Sequence, residues 1–198
     1  LSPLVATWTL HGKEPPDDLR QWLLSGTGGE ATHDLYAIGT QEAGRSIEMS
    51  LLMPSKARWE AHLRDALGDD YECFGCQTLA AIHVALFARR SLLPLVSDVR
   101  TAYVATGFAN TLGNKGGVAV SFQVGRTSFL VVNSHLAAHQ HAVKQRNSNY
   151  HRIEALLPLR PRGMTAPQVA AGSSGADGSN DDDVESPSRR EHASSLFD

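Results

Sequence analysis

The 198-residue sequence predicts an α/β fold, and three observations point to it. Apolar runs of strand length alternate with segments of helical spacing. Two of those runs, 118–124 and 127–133, are separated by Gly125-Arg126 alone, which is a hairpin signal and makes neighbouring strands antiparallel. After Pro158 both periodicities stop, so the ordered part is expected to end near residue 160.

The elements follow in order. Residues 5–10 read as a short strand that runs into a Gly-Lys-Glu-Pro-Pro turn. Asp17 and Asp18 open a helix with Leu19, Trp22 and Leu23 on one face. Residues 35–40 form a compact buried strand that ends abruptly at Gln41-Glu42. Residues 56–67 have helical spacing, with Trp59, Leu63, Ala66 and Leu67 apolar. One long strand is expected over 78–89 and another over 99–105, before the hairpin pair. Helical spacing returns over 143–157. Residues 161–198 are rich in Gly, Ser, Ala and Asp, and cannot bury enough apolar surface to offset their ordering entropy. They read as a disordered low-complexity insertion or tail.

Composition excludes some functions. The chain is 41% hydrophobic and 20% charged, as in a soluble globular protein, with a formal net charge of −3. The pI near 6.3 gives no basic field for gripping nucleic acid. Cys73 and Cys76 form a lone Cys-x-x-Cys with no second ligand pair for zinc, and are expected to be reduced thiols in an approach to a strand. No run has the length of a membrane span, and the first residues carry no signal core. A cytoplasmic location is expected, and the Leu at position 1 reads as the start of a fragment.

The chemistry gathers in two segments. Residues 106–118 combine glycines, which allow close approach of backbone to an anion, with Asn114 as a directional donor and Lys115 as a point charge. One strand later His135 closes 129–133 beside Asn133 and Ser134, where it could orient or protonate a phosphoryl oxygen. Glu42, at the end of the buried strand, could ligate a hard divalent cation. Each residue taken alone has a duller explanation: a solvated loop glutamate, a turn lysine, one structural histidine among nine. Their order and spacing together overturn those explanations.

Thr7-Trp8, Gly39-Thr40-Gln41-Glu42, Leu112-Gly113-Asn114-Lys115-Gly116-Gly117-Val118, Asn133-Ser134-His135-Leu136 and Arg146-Asn147 occur in the order seen in the inositol polyphosphate 5-phosphatases, which the chain resembles over roughly residues 4–157. The resemblance implies the endonuclease/exonuclease/phosphatase fold, a four-layer α/β sandwich of two packed sheets, here partial and incomplete at the C-terminus. It implies Mg²⁺-dependent removal of the 5-phosphate from a phosphoinositide or a soluble inositol polyphosphate, with membrane contact peripheral and through substrate. Glu42 is then the metal ligand, His135 the catalytic histidine at the scissile phosphate, and Asn114 and Lys115 line the substrate pocket. Two features depart from the pattern. Thr9 stands where the family carries an Asn beside the metal, and the family's Gly-Asp-Leu-Asn, Trp-Cys-Asp-Arg and Ser-Asp-His segments have no counterpart. Residues 1–160 therefore read as the N-terminal part of the catalytic domain, inactive on its own. The alternatives are a non-catalytic remnant that binds phosphoinositide headgroups or a partner, and a Mg²⁺-dependent nuclease of the same fold.

Overall fold

A computed structural model describes residues 1–13, 15–42, 56–107 and 114–159. The expected low-complexity segment and residues 108–113 of the glycine-rich segment lie outside the described residues. In chain order the elements are β1 (Pro3–Thr9), α1 (Arg20–Leu23), β2 (Leu35–Gln41), α2 (Ala57–Leu67), β3 (Tyr71–Leu79) and β4 (Ile82–Arg89). A 3-10 turn (Arg90–Leu95) then leads to β5 (Val96–Ala105), β6 (Gly116–Val124), β7 (Thr127–His135) and α3 (Val143–Leu156).

The strands form two sheets, ordered β1-β2-β4-β3 and β5-β6-β7. β1 and β2 run parallel, and every other pairing is antiparallel. Side-chain alternation sorts the core into three layers of contact. Leu35 and Ala37 of β2 and Ile82, Val84 and Leu86 of β4 face Val118, Val120 and Phe122 of β6 between the sheets. The opposite faces of β2 and β4, through Tyr36, Ile38, Ala85 and Phe87, pack on Leu19, Leu23, Trp59, Leu63 and Leu67 of the helical side. On the second sheet Ala102, Val104 and Ala119 meet Ile153, Leu157 and Leu159. The order is helix, sheet, sheet, helix, the expected four layers.

The apolar spacing of α2 builds its face: Trp59, Leu63, Ala66 and Leu67 are all buried. Removing the Leu63 side chain should cost about 2–5 kcal/mol. The helix after Asp17-Asp18 is one turn of four residues, its Arg20 N–H donating to Asp18 Oδ1 at 2.9 Å.

Three expectations need correction. The single strand over 78–89 is two strands folded back through Ala80-Ala81, with Ala80 in the left-handed region at φ 49°. The turn carries no Gly, Asn or Pro, so nothing in its composition marks it. Cys73 and Cys76 sit within β3 rather than before a strand, and a register shift between Cys73 and Gly75 accompanies them. Both thiols are free. The strand expected from 99 starts at Val96, and a second register shift between Ser97 and Arg100 interrupts its pattern.

Candidate active site

Topology brings the expected residues together. Parallel pairing delivers the C-terminal ends of β1 and β2 to the same end of the first sheet, with Thr9 opposite Gln41. In the second sheet the β6–β7 register sets Gly116 opposite His135, so Lys115, one residue before β6, stands beside the end of β7. Lys115 Nζ lies 2.9 Å from His135 Nε2. Glu42 Oε1 lies 3.5 Å from the same nitrogen, and Glu42 Oε2 lies 3.2 Å from His11 Nδ1. Glu42, Lys115 and His135 thus converge from three separate stretches of chain. Asn114 is half-buried next to Lys115, and among the described residues its buried Oδ1 has no hydrogen-bond partner.

Charge and burial set the protonation of the cluster. Burial, then the ammonium of Lys115, lowers the His135 pKa below its usual value, with Glu42 opposing. Burial also lowers the Lys115 pKa, again against Glu42. A neutral His135 can accept the Lys115 proton donor at Nε2 and keep its own proton on Nδ1. Nε2 cannot accept from Lys115 and donate to Glu42 together. The 2.9 Å contact prevails over the 3.5 Å one.

Behind this cluster a polar clamp joins the sheets. Asn133 of β7 reaches across, and its Nδ2 donates to Thr40 O at 3.0 Å and to His83 O at 2.8 Å. Gln41 Nε2 donates to Asn133 Oδ1 at 2.6 Å and to Thr7 Oγ1 at 3.0 Å, while Thr9 Oγ1 donates to Gln41 Oε1 at 2.9 Å. Gly39 makes room, since a Cβ there would stand 2.7 Å from Asn133 Cγ. The Thr9 hydroxyl, on an exposed residue of β1, is therefore engaged with Gln41. Beside the clamp a cleft of about 350 Å³ opens between β1, β2 and β7, lined by Val5, Thr7, Gly39, Gln41, Asn133 and Ser134 among others.

Backbone conformation adds a further sign. Glu42 and His11 both have left-handed backbones, at φ 54° and 52°. For residues other than glycine such conformations cost on the order of 1–3 kcal/mol each, and they cluster where a side chain has to be aimed. Two backbone bonds hold them, Leu10 N–H to Gln41 O at 2.9 Å and Gly12 N–H to Glu42 O at 2.8 Å. Sequence reasoning did not single out His11, Gln41 or Asn133 as site residues. Asn133 carried one usable signal, an amide inside a β-branched strand where Asn is disfavoured; His11 carried only its place before Gly12 in a turn.

Residues 6–184 match the family described as Endonuclease/Exonuclease/phosphatase family 2. The chain belongs to the endonuclease/exonuclease/phosphatase family. Among family relatives, phosphatidylinositol 3,4,5-trisphosphate 5-phosphatase 2B of Danio rerio is 35% identical over 80% of this chain and 13% of that protein. Type II inositol 1,4,5-trisphosphate 5-phosphatase of Mus musculus is 34% identical over 75% of this chain and 15% of that protein. The solved inositol polyphosphate 5-phosphatase domain of SPsynaptojanin, in complex with inositol (1,4)-bisphosphate and calcium ion, superposes with a TM-score of 0.69 at 27% identity. That match covers 82% of this chain and 47% of the solved one, so the chain spans about half of that domain. The family fold is the two-sheet α/β arrangement described above, present here as a partial domain. The named relatives are phosphoric monoester hydrolases.

The donor set can be tested against a divalent cation. Glu42 offers a carboxylate at a strand end, its side chain 33% exposed. Among the described residues no three His, Cys, Asp or Glu groups converge on one point. One carboxylate with the remaining positions left to water and phosphate oxygen is the kind of site a hard, well-hydrated cation takes, so the residues fit.

Proposed function

We propose that the chain forms part of an inositol polyphosphate 5-phosphatase catalytic domain, hydrolysing the 5-phosphate of a phosphoinositide or a soluble inositol polyphosphate with Mg²⁺. The observation that carries this reading is the convergence of Glu42, Lys115 and His135, with Lys115 Nζ 2.9 Å from His135 Nε2. Glu42 would hold the cation through a carboxylate oxygen. Asn114 and Lys115 would line the substrate pocket, the ammonium meeting phosphate charge. His135 would hydrogen-bond a phosphoryl oxygen and strengthen that bond as charge develops. In the reaction water oxygen bonds to phosphorus as the P–O bond to the ring breaks, the ring oxygen takes a proton, and phosphate leaves. A bound cation supplies Lewis-acid stabilisation of the phosphoryl oxygens. The same reading carries a cytoplasmic location with membrane contact through substrate. Among the described residues no helix is long and apolar enough to cross a membrane.

A second reading, headgroup binding without turnover, is favoured by the single carboxylate at the site, since among the described residues no three His, Cys, Asp or Glu groups converge on one point. One experiment addresses both. The purified chain is titrated calorimetrically, with Mg²⁺, with an inositol polyphosphate bearing a 5-phosphate and with its counterpart lacking it, while phosphate release is followed. Preference for the 5-phosphate, weakened about tenfold in Lys115→Ala (a change of ~1.4 kcal/mol), is the expected result, with release near background for the chain alone. Equal binding of both compounds, or tighter binding of a single-stranded oligonucleotide, would sink the phosphatase reading.

A further inference from the structure

His11 and Glu42 are the two residues of the site with left-handed backbones, and their side chains meet, Nδ1 to Oε2, at 3.2 Å. His11 and Gly12, the latter at φ 73°, are the central pair of a turn closed by Lys13 N–H to Leu10 O at 3.0 Å, and two further backbone hydrogen bonds lace that turn to the end of β2. Donor atoms that are neighbours in an octahedral shell with bonds of about 2.1 Å stand about 3.0 Å apart. The observed separation is close to that edge. The imidazole is 77% exposed and the carboxylate 33% exposed, so water and a phosphate oxygen have access to the other positions. The neighbouring side-chain oxygen from β1, that of Thr9, donates its proton to Gln41 Oε1 at 2.9 Å. The donor that stands against Glu42 Oε2 is the His11 nitrogen.

We propose that His11 Nδ1 and Glu42 Oε2 together bind one divalent cation, and that the nitrogen shifts its preference from Mg²⁺ towards imidazole-tolerant first-row ions of the Co²⁺ class. The inference rests on the reading of Glu42 as the cation-holding carboxylate and adds a second ligand to it. Carboxylate and water alone suit Mg²⁺, whereas one imidazole in the shell raises affinity along the series from Mn²⁺ to Co²⁺ and beyond. His135 is committed to Lys115 and stays outside this pair, as does the stacked surface pair His139 and His141, whose ring centroids are 5.6 Å apart.

The test uses the purified 198-residue chain stripped with a chelator, and reads metal binding without substrate. Co²⁺ is titrated while its visible absorption and the histidine ring proton signals are followed, and Mg²⁺ is then added in competition. Asn tolerates the left-handed backbone, so His11→Asn replaces the nitrogen ligand with little strain. Even partners outside the first coordination shell change metal affinity about 10–100-fold, so loss of the imidazole should weaken Co²⁺ by at least about tenfold and leave Mg²⁺ unchanged or tighter. In the wild type, the His11 ring signals should broaden first. The double substitution His139→Ala with His141→Ala should leave this site's affinity unaltered. Equal Co²⁺ affinity in wild type and His11→Asn, with Glu42→Gln weaker, would overturn the role of His11 alone. Glu42→Gln binding both ions as well as wild type would overturn the reading of Glu42 and this inference with it. Broadening confined to His139 and His141 would also overturn the inference.

Discussion

Replacing Asn133 by alanine removes three hydrogen bonds that hold the two sheets together next to the site. Its Nδ2 serves Thr40 O at 3.0 Å and His83 O at 2.8 Å, and its Oδ1 receives Gln41 Nε2 at 2.6 Å. Thr40 and His83 are fully buried and Gln41 nearly so, which leaves two carbonyls and an amide to be satisfied by whatever water enters. A satisfied hydrogen bond contributes about 1 kcal/mol net, and a buried group left without a partner costs about 1–3 kcal/mol. The adjoining cleft lets water repair part of the damage, so the expected loss is about 3 kcal/mol. Urea unfolding of both proteins, compared at equal slope, measures it. Asn133→Asp keeps the shape but turns a donor into a second oxygen facing two carbonyls, and should cost at least as much at pH 7. A loss below about 1 kcal/mol for the alanine, or an aspartate milder than the alanine, would refute the idea that this amide clamps the sheets.

Three further outcomes are expected. His83, whose Nδ1 lies 2.8 Å from Thr78 Oγ1 and whose Nε2 lies 3.4 Å from Glu60, has its pKa lowered from 6.5 to about 4 by burial and then by Lys56. Its neutral form is favoured in the fold, so stability present above pH 6.5 should decline by about 3 kcal/mol as pH falls to about 4 and then level off; His83→Gln should flatten that part of a stability–pH curve. Gly116→Ala should cost about 3 kcal/mol or more by thermal or urea unfolding, because its Cβ would stand 2.3 Å from the Val104 carbonyl oxygen, whereas Gly125→Ala, with open space around it, should cost about 1 kcal/mol. Among the described residues β1 and β7 are sheet edges, with Val5 75% and Val132 40% exposed, so the chain should bind hydrophobic dyes and self-associate, less so as Val132→Lys, as light scattering would reveal. A monodisperse wild type without dye binding would remove the basis for that expectation.

The α/β class, the β6–β7 hairpin, the apolar face of α2 and the meeting of Glu42, Lys115 and His135 were legible in the sequence because each leaves a local mark. Gly125 marks a turn, spacing marks a helical face, and motif order marks a site. What escaped was set by register. Ala80-Ala81 turns the chain without a turn residue, because pairing of β3 with β4 stabilises it from outside. Asn133 looked like part of a motif, and its work across 92 residues to Gln41 exists only once two sheets are stacked. His11 stands before Gly12 in a turn, and its contact with Glu42 exists only once β1 and β2 pair in parallel.

The clamp also bears on the order of folding. Its links join Gln41 and Thr40 to a residue 92 and 93 positions later, while the β6–β7 hairpin closes over a two-residue turn. Closing so long a loop is entropically costly until both sheets exist, and contacts of wide sequence separation form slowly. The expected sequence of events is hairpins first, sheet stacking second, and the end of β2 last, so the cluster around Glu42 is absent from any partly folded state. On the ribosome the clamp cannot close until β7 has emerged, and β1, β2 and β4 wait unlatched through the synthesis of some fifty residues beyond His83. Pulsed hydrogen exchange during refolding should find the Gln41 and Glu42 amides protected after those of β6 and β7; simultaneous protection would mean that the chain is pre-collapsed with its two sheets already in contact.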